Sequence, residues 1–462
     1  MRKKNILLSG AVMASLLASC QGGRVSGDAD EGDTLPMKYA QLLTIVKHGD
    51  DEASKNGYAE VMIRNPWKQG AMLHRYILVP KGKEGDQMVA LLAKERGMWA
   101  RCVTDTVRTP VDNSVVFTSP HCQLMYELGA ENAIRGVCDL GYINIPDIKK
   151  RVALSKSSSS KSSFSRPVSS KVSASRSTSP FIVDCGSSMA PDIERIIALK
   201  PQALLISPFE NNGGYGKLDK LHIPIVETAD YMETSPLGRA EWLKFYGMLF
   251  GSDRNDRSDG SEERREKSEE FNGLASCEAK ADSLFARIEQ EYLSLKAQAA
   301  KLPKGRSVLT ERKTGNVWYV PGGQSTMGIL LKDANARYIF ADDTHSGSLA
   351  MSPEQILAKG KKVDVWAFKY FEPKPLTRPQ LLQEYDGYKA LFAFQTKDIY
   401  ECNTVTQPYF ELTSFHPEIL LREFIILSHL ECQKQFGGLR FYRPMNEADD
   451  LPLSGRTVEC GK

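Results

Sequence analysis

The chain lacks the marks of a catalytic class. No GxSxG, HExxH or P-loop pattern occurs in its 462 residues. The seven histidines (His48, His74, His121, His222, His345, His416 and His429) form no HxH pair and no His-rich loop. The nine cysteines show no CxxC pair and no zinc spacing. A dominant charge is missing too: 60 Lys and Arg against 57 Asp and Glu leave +3. Arg2, Lys3 and Lys4 at the N-terminus match that excess, so global basicity toward nucleic acid is excluded. Beyond the N-terminus no apolar run approaches the roughly 20 residues that span a bilayer, which excludes a polytopic membrane protein. What remains is 41% hydrophobic and 25% charged, the balance of a globular chain long enough for two domains.

The N-terminus reads as an address. Basic Arg2 to Lys4 precede an apolar stretch from Ile6 to Leu17, which ends in Leu17-Ala18-Ser19-Cys20. Those four residues resemble the lipobox of bacterial lipoproteins. The resemblance implies cleavage after residue 19 and lipidation of Cys20, with the mature chain anchored on the periplasmic face of a bacterial membrane. Residues 20–36 are a polar tether with almost nothing to bury. Of the other cysteines, Cys122, Cys138 and Cys185 lie in apolar stretches, where a buried free thiol is expected, and no bridge is assigned.

Residues 37–109 carry short β-prone runs punctuated at Pro66-Trp67 and Pro80-Lys81-Gly82, a β-rich segment expected to pack on the first of two lobes. Residues 110–251 form that lobe, alternating strands and helices. Strands are expected at Val115–Phe117, Ile134–Cys138, Phe181–Val183, Ala203–Ile206 and Ile223–Val226. Helices are expected at Gln123–Leu128, Ala190–Lys200 and Glu241–Phe250. Such alternation implies a parallel sheet covered on both faces. Within this lobe, residues 155–180 are mostly serine and read as a solvated insertion; 252–271 is a polar linker. A long helix over 272–301, of about 28 residues and roughly 40 Å, then reaches toward a second series over 302–444. That series is read as strands at Val308–Thr310, Val317–Val320, Val363–Phe368 and Leu391–Phe394, with helices at Ser325–Lys332, Pro353–Lys359, Pro379–Tyr385 and Glu418–Phe436. Residues 445–462 are a polar tail. The fold class is therefore α/β: two Rossmann-like lobes joined by one long helix, with a small N-terminal β-rich segment.

Specific stretches sharpen this. Pro191-Asp192-Ile193-Glu194-Arg195-Ile196-Ile197-Ala198-Leu199-Lys200-Pro201 with Ala203-Leu204-Leu205-Ile206 is similar to a helix–strand signature of the iron-complex and vitamin B12 periplasmic-binding family. Ser352-Pro353-Glu354-Gln355-Ile356-Leu357 with Val363-Asp364-Val365-Trp366 resembles its counterpart in the second lobe, and Val115 to Val137 resembles the opening β-α-β unit. The resemblance implies a non-enzymatic substrate-binding lipoprotein of an ABC importer, with a permease and its ATPase as partners. The cargo would be a metal chelate such as a ferric siderophore, haem or cobalamin, with no resident cofactor. Family members usually offer the permease one glutamate per lobe. Here the expected positions hold Gln123 and Ile329, with Glu127 and Asp333 one turn later.

Ligands of open α/β sheets lie beyond the carboxyl ends of the strands. First-lobe candidates are Ser119, His121, Tyr142, Ser187, Ser188, Met189, Asn212 and Tyr215. The Ser187–Met189 loop is expected to offer N–H groups to a carboxylate or phosphate, and His121 is placed for axial ligation. Second-lobe candidates are Arg312, Trp318, Tyr319, Lys369 and Tyr370, followed by Phe371: aromatic walls for a flat ligand and cations for an anionic one. Two alternatives stand beside this reading, a receptor for bare Zn or Mn and a lipoprotein hydrolase.

Overall fold

The structure is a computed structural model that describes residues 32–49, 57–95, 103–159, 181–210, 214–251 and 276–445. Cys20, the signal region, most of the tether, residues 160–180, Asn212, the 252–271 linker and the tail from 446 lie outside the described residues.

The N-terminal segment forms a sheet ordered β1 (Asp33–Leu35), β2 (Leu43–His48), β3 (Tyr58–Arg64), β4 (Met72–Pro80) and β5 (Thr104–Thr109). Its pairs are antiparallel except β4 with β5, which run parallel around a helix at Lys83–Glu95. That helix was not legible among the charged residues of its sequence. The strand at Asp33–Leu35 also begins inside the expected tether, pairing Leu35 with Ile45.

Two mostly parallel sheets come next. The first is ordered β12 (Ile225–Glu227), β11 (Ala203–Ile206), β6 (Ser114–Val116), β7 (Ile134–Val137) and β8 (Val183–Asp184). The second is ordered β16 (Arg337–Tyr338), β13 (Ser307–Thr310), β18 (Val365–Tyr370), β19 (Ile399–Asn403) and an antiparallel edge, β20 (Arg443–Pro444). Val317–Val320 does not join it. As part of Val317–Pro321 it pairs antiparallel with Lys313–Thr314 and Ser348–Met351 in a separate three-stranded sheet.

Other expectations move. Leu391–Phe394 is not a strand: Phe392–Gln395 is a helical turn, and the strand comes at Ile399–Asn403. A short apolar run fits either state, and here Ala393 is buried while Phe392 is exposed. The Glu418–Phe436 helix ends at Ser428, where buried His429 leaves helical geometry, and a short helix resumes at Gln433–Phe436. Ala190–Lys200 shortens to Ile193–Leu199 because the Asp192 carboxylate caps it, accepting from Arg195 N, and Ala190–Pro191 instead pairs with Gly186–Ser187. The Gln123–Leu128 helix begins at Ser119 and stops at Gly129, whose φ of 76° needs a residue without a Cβ. The 181–183 strand shifts to Val183–Asp184, and Ser155 to Ser159 continue the helix Pro146–Ser159 into the serine-rich stretch.

The long helix runs from Cys277 to Ala299, 23 residues and about 34 Å, with Ser276 as its cap. It buries Ala281, Leu284, Phe285, Ile288, Tyr292, Leu295 and Ala299 against the first-lobe helix Leu243–Phe250 and the second-lobe helix Pro417–Ser428. A Cβ on Gly247 would come within 2.7 Å of Ala281 Cβ, so glycine permits the close approach. At one end Cys277 Sγ contacts Leu128 O at 3.3 Å; at the other, Tyr292 OH donates to Asp333 at 2.7 Å.

Buried carboxylates tie irregular chain to this frame. Glu241 accepts from Lys38, Tyr39 and Ala40 N at 2.7–2.9 Å. Glu233 accepts from Gln41 N, Leu42 N and Trp242 Nε1 at 2.8–3.1 Å. Glu423 takes Phe441 and Tyr442 N at 3.1 and 3.0 Å. Between the lobes, His416 donates to Glu418 at 2.8 Å from Nδ1 and to Glu127 at 2.9 Å from Nε2. Carboxylate oxygens only accept, so both ring nitrogens carry protons and the ring is an imidazolium. Burial opposes that charge, but the bonds to Glu127 and Glu418 outweigh it and hold the pKa at about 9.

This packing and this ion pair each carry a measurable share of stability. Trp318 is fully buried, packed on Trp366 at 5.9 Å and on Tyr388 at 5.5 Å. Trp318→Ala should lower unfolding free energy by roughly 3–5 kcal/mol, read from the urea midpoint. His416 stabilises fully below the unfolded pKa of 6.5, and that contribution is lost as pH rises through about 9. Urea midpoints taken from about pH 6 to about pH 10 should show a loss on the order of 2 kcal/mol that disappears in His416→Gln.

Candidate functional site

A cavity of about 420 Å³ lies between the lobes, at the carboxyl ends of both sheets. Phe117 and Thr118 follow β6, Asp139 follows β7 and Ser207 follows β11; from the other side Phe371 follows β18 and Thr404 follows β19. The helix Tyr409–Thr413 adds Phe410 and Glu411. A neighbouring cavity of about 490 Å³ shares Phe117, Thr118, Ser188 and Ser207 and extends along the first lobe past Met189, Phe209, Tyr215 and Lys217. Both volumes fall within the usual range for small-molecule sites.

The rim is apolar and exposed. Tyr142 from the first lobe and Phe371 from the second bring their rings to 4.8 Å across the opening. They are 60% and 45% exposed, and Phe410, Phe209 and Met189 also stand open beside the two cavities. Large apolar side chains left in water around a cavity mark an interaction surface.

Of the sequence candidates, Ser119, His121, Tyr142 and Ser188 converge on the interlobe cavity, and Met189 and Tyr215 line its neighbour. Tyr215 OH is held by Glu227 at 2.8 Å. Ser187 stands outside both linings, its Oγ accepting from Met189 N at 3.3 Å. Arg312 and Tyr319 line a separate second-lobe cavity of about 370 Å³ beyond the end of β13.

Others are corrected. Trp318 belongs to the core, and Tyr370 is 4% exposed with its hydroxyl accepting from Leu376 N at 3.2 Å. Lys369 is paired with Glu311 beneath the ring of Tyr409, so its charge is used inside the lobe. His121 is not free for axial ligation. Its Nδ1 contacts Thr118 Oγ1, and its Nε2 meets Asp230 at 2.9 Å and Tyr246 OH at 3.0 Å. Burial disfavours the Asp230 charge, yet His121 and Arg239 beside it hold its pKa below the usual range. The backbone N–H groups of Ser188 and Met189 are not free for an anion, because Ser188 N donates to Asp139 Oδ1 at 3.1 Å and Met189 N to Ser187 Oγ.

The two acidic positions one turn beyond the expected docking sites are likewise occupied. Glu127 takes Gln123 Nε2 at 3.0 Å besides His416, and Asp333 takes Lys296 at 3.0 Å besides Tyr292. Among the described residues no group of three or more His, Cys, Asp or Glu is placed to hold a metal ion. No described helix is long and apolar enough to cross a membrane.

Sequence reasoning missed Phe209, Arg239, Thr404, Phe410 and Glu411. Phe410 and Glu411 sit in a five-residue helix whose pattern carries no period, so only the fold brings them to the cleft.

Known proteins share parts of this chain. An uncharacterized lipoprotein of Methanocaldococcus jannaschii is 26% identical over 189 residues, 40% of this chain. The chain spans only 39% of that relative's length. Among solved structures, one from an ABC-type Fe3+-hydroxamate transport system of Saccharomonospora viridis is 17% identical, covering 71% of this chain and 94% of that one at a TM-score of 0.45. A periplasmic heme binding protein from Pseudomonas aeruginosa is 15% identical, covering 69% and 93%, also at 0.45. A family model described as periplasmic binding protein matches residues 152–406, more than half of the chain, and the chain belongs to that family.

Proposed function

We propose that this chain is the substrate-binding lipoprotein of an ABC importer, anchored through Cys20 on the periplasmic face of a bacterial membrane. It captures a metal chelate (a ferric siderophore, haem or cobalamin) between its lobes, without turnover, and delivers it to a permease with its ATPase. The observation that carries the reading is the interlobe cavity at the carboxyl ends of two parallel sheets, closed over by the Tyr142–Phe371 ring contact. Aromatic faces suit a chelate whose periphery is flat or apolar. The family supports this class of role, and the Leu17–Cys20 motif supports the anchor.

Titration with a ferric trihydroxamate, haem and cobalamin, followed by tryptophan fluorescence, is the direct test. At least one should bind saturably in the micromolar range or tighter, and silence across all three would sink the reading. In a Tyr142→Ala, Phe371→Ala double variant the affinity should drop about tenfold or more with the urea midpoint unchanged, since both side chains are largely exposed.

A further inference from the structure

The devices that would receive an anion in this cleft are already filled by the protein itself. Ser119 opens the helix Ser119–Leu128, whose N-terminus faces the interlobe cavity and would favour negative charge. That end is met by Glu411 of the opposite lobe, which bonds the Ser119 side chain and takes Asn144 N at 2.9 Å. The donor of the Ser187–Met189 loop that points inward, Ser188 N, is held by Asp139.

The cations are committed in the same way. Arg239, the one arginine among the described residues of the interlobe lining, has its charge balanced by fully buried Asp230, to which Nε donates at 3.0 Å, while its terminal nitrogens stay open to the cavity. Lys369 belongs to Glu311 and Arg312 to Glu384. Lys217 is exposed at the outer side of the neighbouring cavity, where water and salt screen it. Asn211, Asn212 and Gly213, next to that cavity in sequence, bring no charge.

Asp139 and Glu411 are different. Both line the interlobe cavity, and neither has a Lys or Arg within ion-pair distance among the described residues; exposed Lys149 acts on Glu411 only from farther away. Asp139 is held beside the loop by the bond its Oδ1 accepts from Ser188 N at 3.1 Å, on a backbone at φ 52° that aspartate adopts more readily than most residues. Burial raises the Glu411 pKa, and a cation arriving next to it would relieve that penalty.

We infer that the cleft selects a chelate that is neutral or cationic and has an apolar face, and rejects polyanionic chelates, with Asp139 and Glu411 as the residues that set the sign. This inference rests on the proposed chelate-binding function. A polyanion would meet two carboxylates and only one cation in the interlobe lining, Arg239, whose charge Asp230 already balances, whereas a cationic chelate pairs with the carboxylates in a site of lowered dielectric.

The experiment is a charge series on the full chain: a monocationic ferric trihydroxamate, a neutral corrinoid, dianionic haem and a trianionic ferric tris-catecholate, each titrated at low and at high salt. The cationic or neutral members are expected to bind at least about thirtyfold more tightly than the tris-catecholate, and the cationic chelate to weaken as salt rises. The Asp139→Asn, Glu411→Gln double variant should narrow the gap about tenfold, since asparagine tolerates the left-handed backbone and glutamine still accepts from Asn144 N. Equal or tighter binding of the anionic chelates by the wild-type protein overturns the inference and leaves the chelate-binding function standing. Absence of binding by every member overturns both. The wild-type series decides the matter even where the variant folds poorly.

Discussion

Buried carboxylates that gather backbone N–H groups from remote chain are the constraint on which this architecture depends. The segment from Lys38 to Leu42 has no ladder to satisfy its donors, yet it runs against the first lobe because Glu241 and Glu233 accept from it. Phe441 and Tyr442 are held to the second lobe by Glu423 in the same way. An unsatisfied buried N–H and an unpaired buried carboxylate each carry a heavy desolvation cost, and placing one on the other removes both. Burial still pushes the Glu233 and Glu423 pKa values upward, so these ties are strongest where the carboxylates stay ionised.

The device recurs where the lobes meet. His416 bridges Glu127 and Glu418, Asn144 reaches Glu411 and Thr404 O, and Thr326 Oγ1 donates to Glu233 O. These contacts set the width of the cleft and, through Glu411, its charge. The groups that hold the halves together and the groups that line the cleft therefore overlap.

The α/β alternation was legible because β6, β11, β13 and β18 are short, largely apolar runs bounded by turn residues, and periodicity is most informative there. Two-residue strands such as β8, and the helical turn at Phe392–Gln395, carry too few residues to show a period. For the site, the rule that loops after parallel strands form the pocket located Ser119, Tyr142, Ser188, Met189 and Tyr215. It failed at Trp318 and Tyr370, since alternation along a strand does not say which face is covered. It failed also for charge: Lys369 and Arg312 look like ligand cations until Glu311 and Glu384 are seen beside them.

The 23-residue helix from Cys277 to Ala299 is gripped by the first lobe at Leu128 and by the second at Asp333, and Gly247 lets it seat without a gap. A strut clasped at both ends resists hinge bending. Under the proposed function, entry then turns on single aromatic rings at the mouth, which swing fast, and release on the parting of halves that are fastened together.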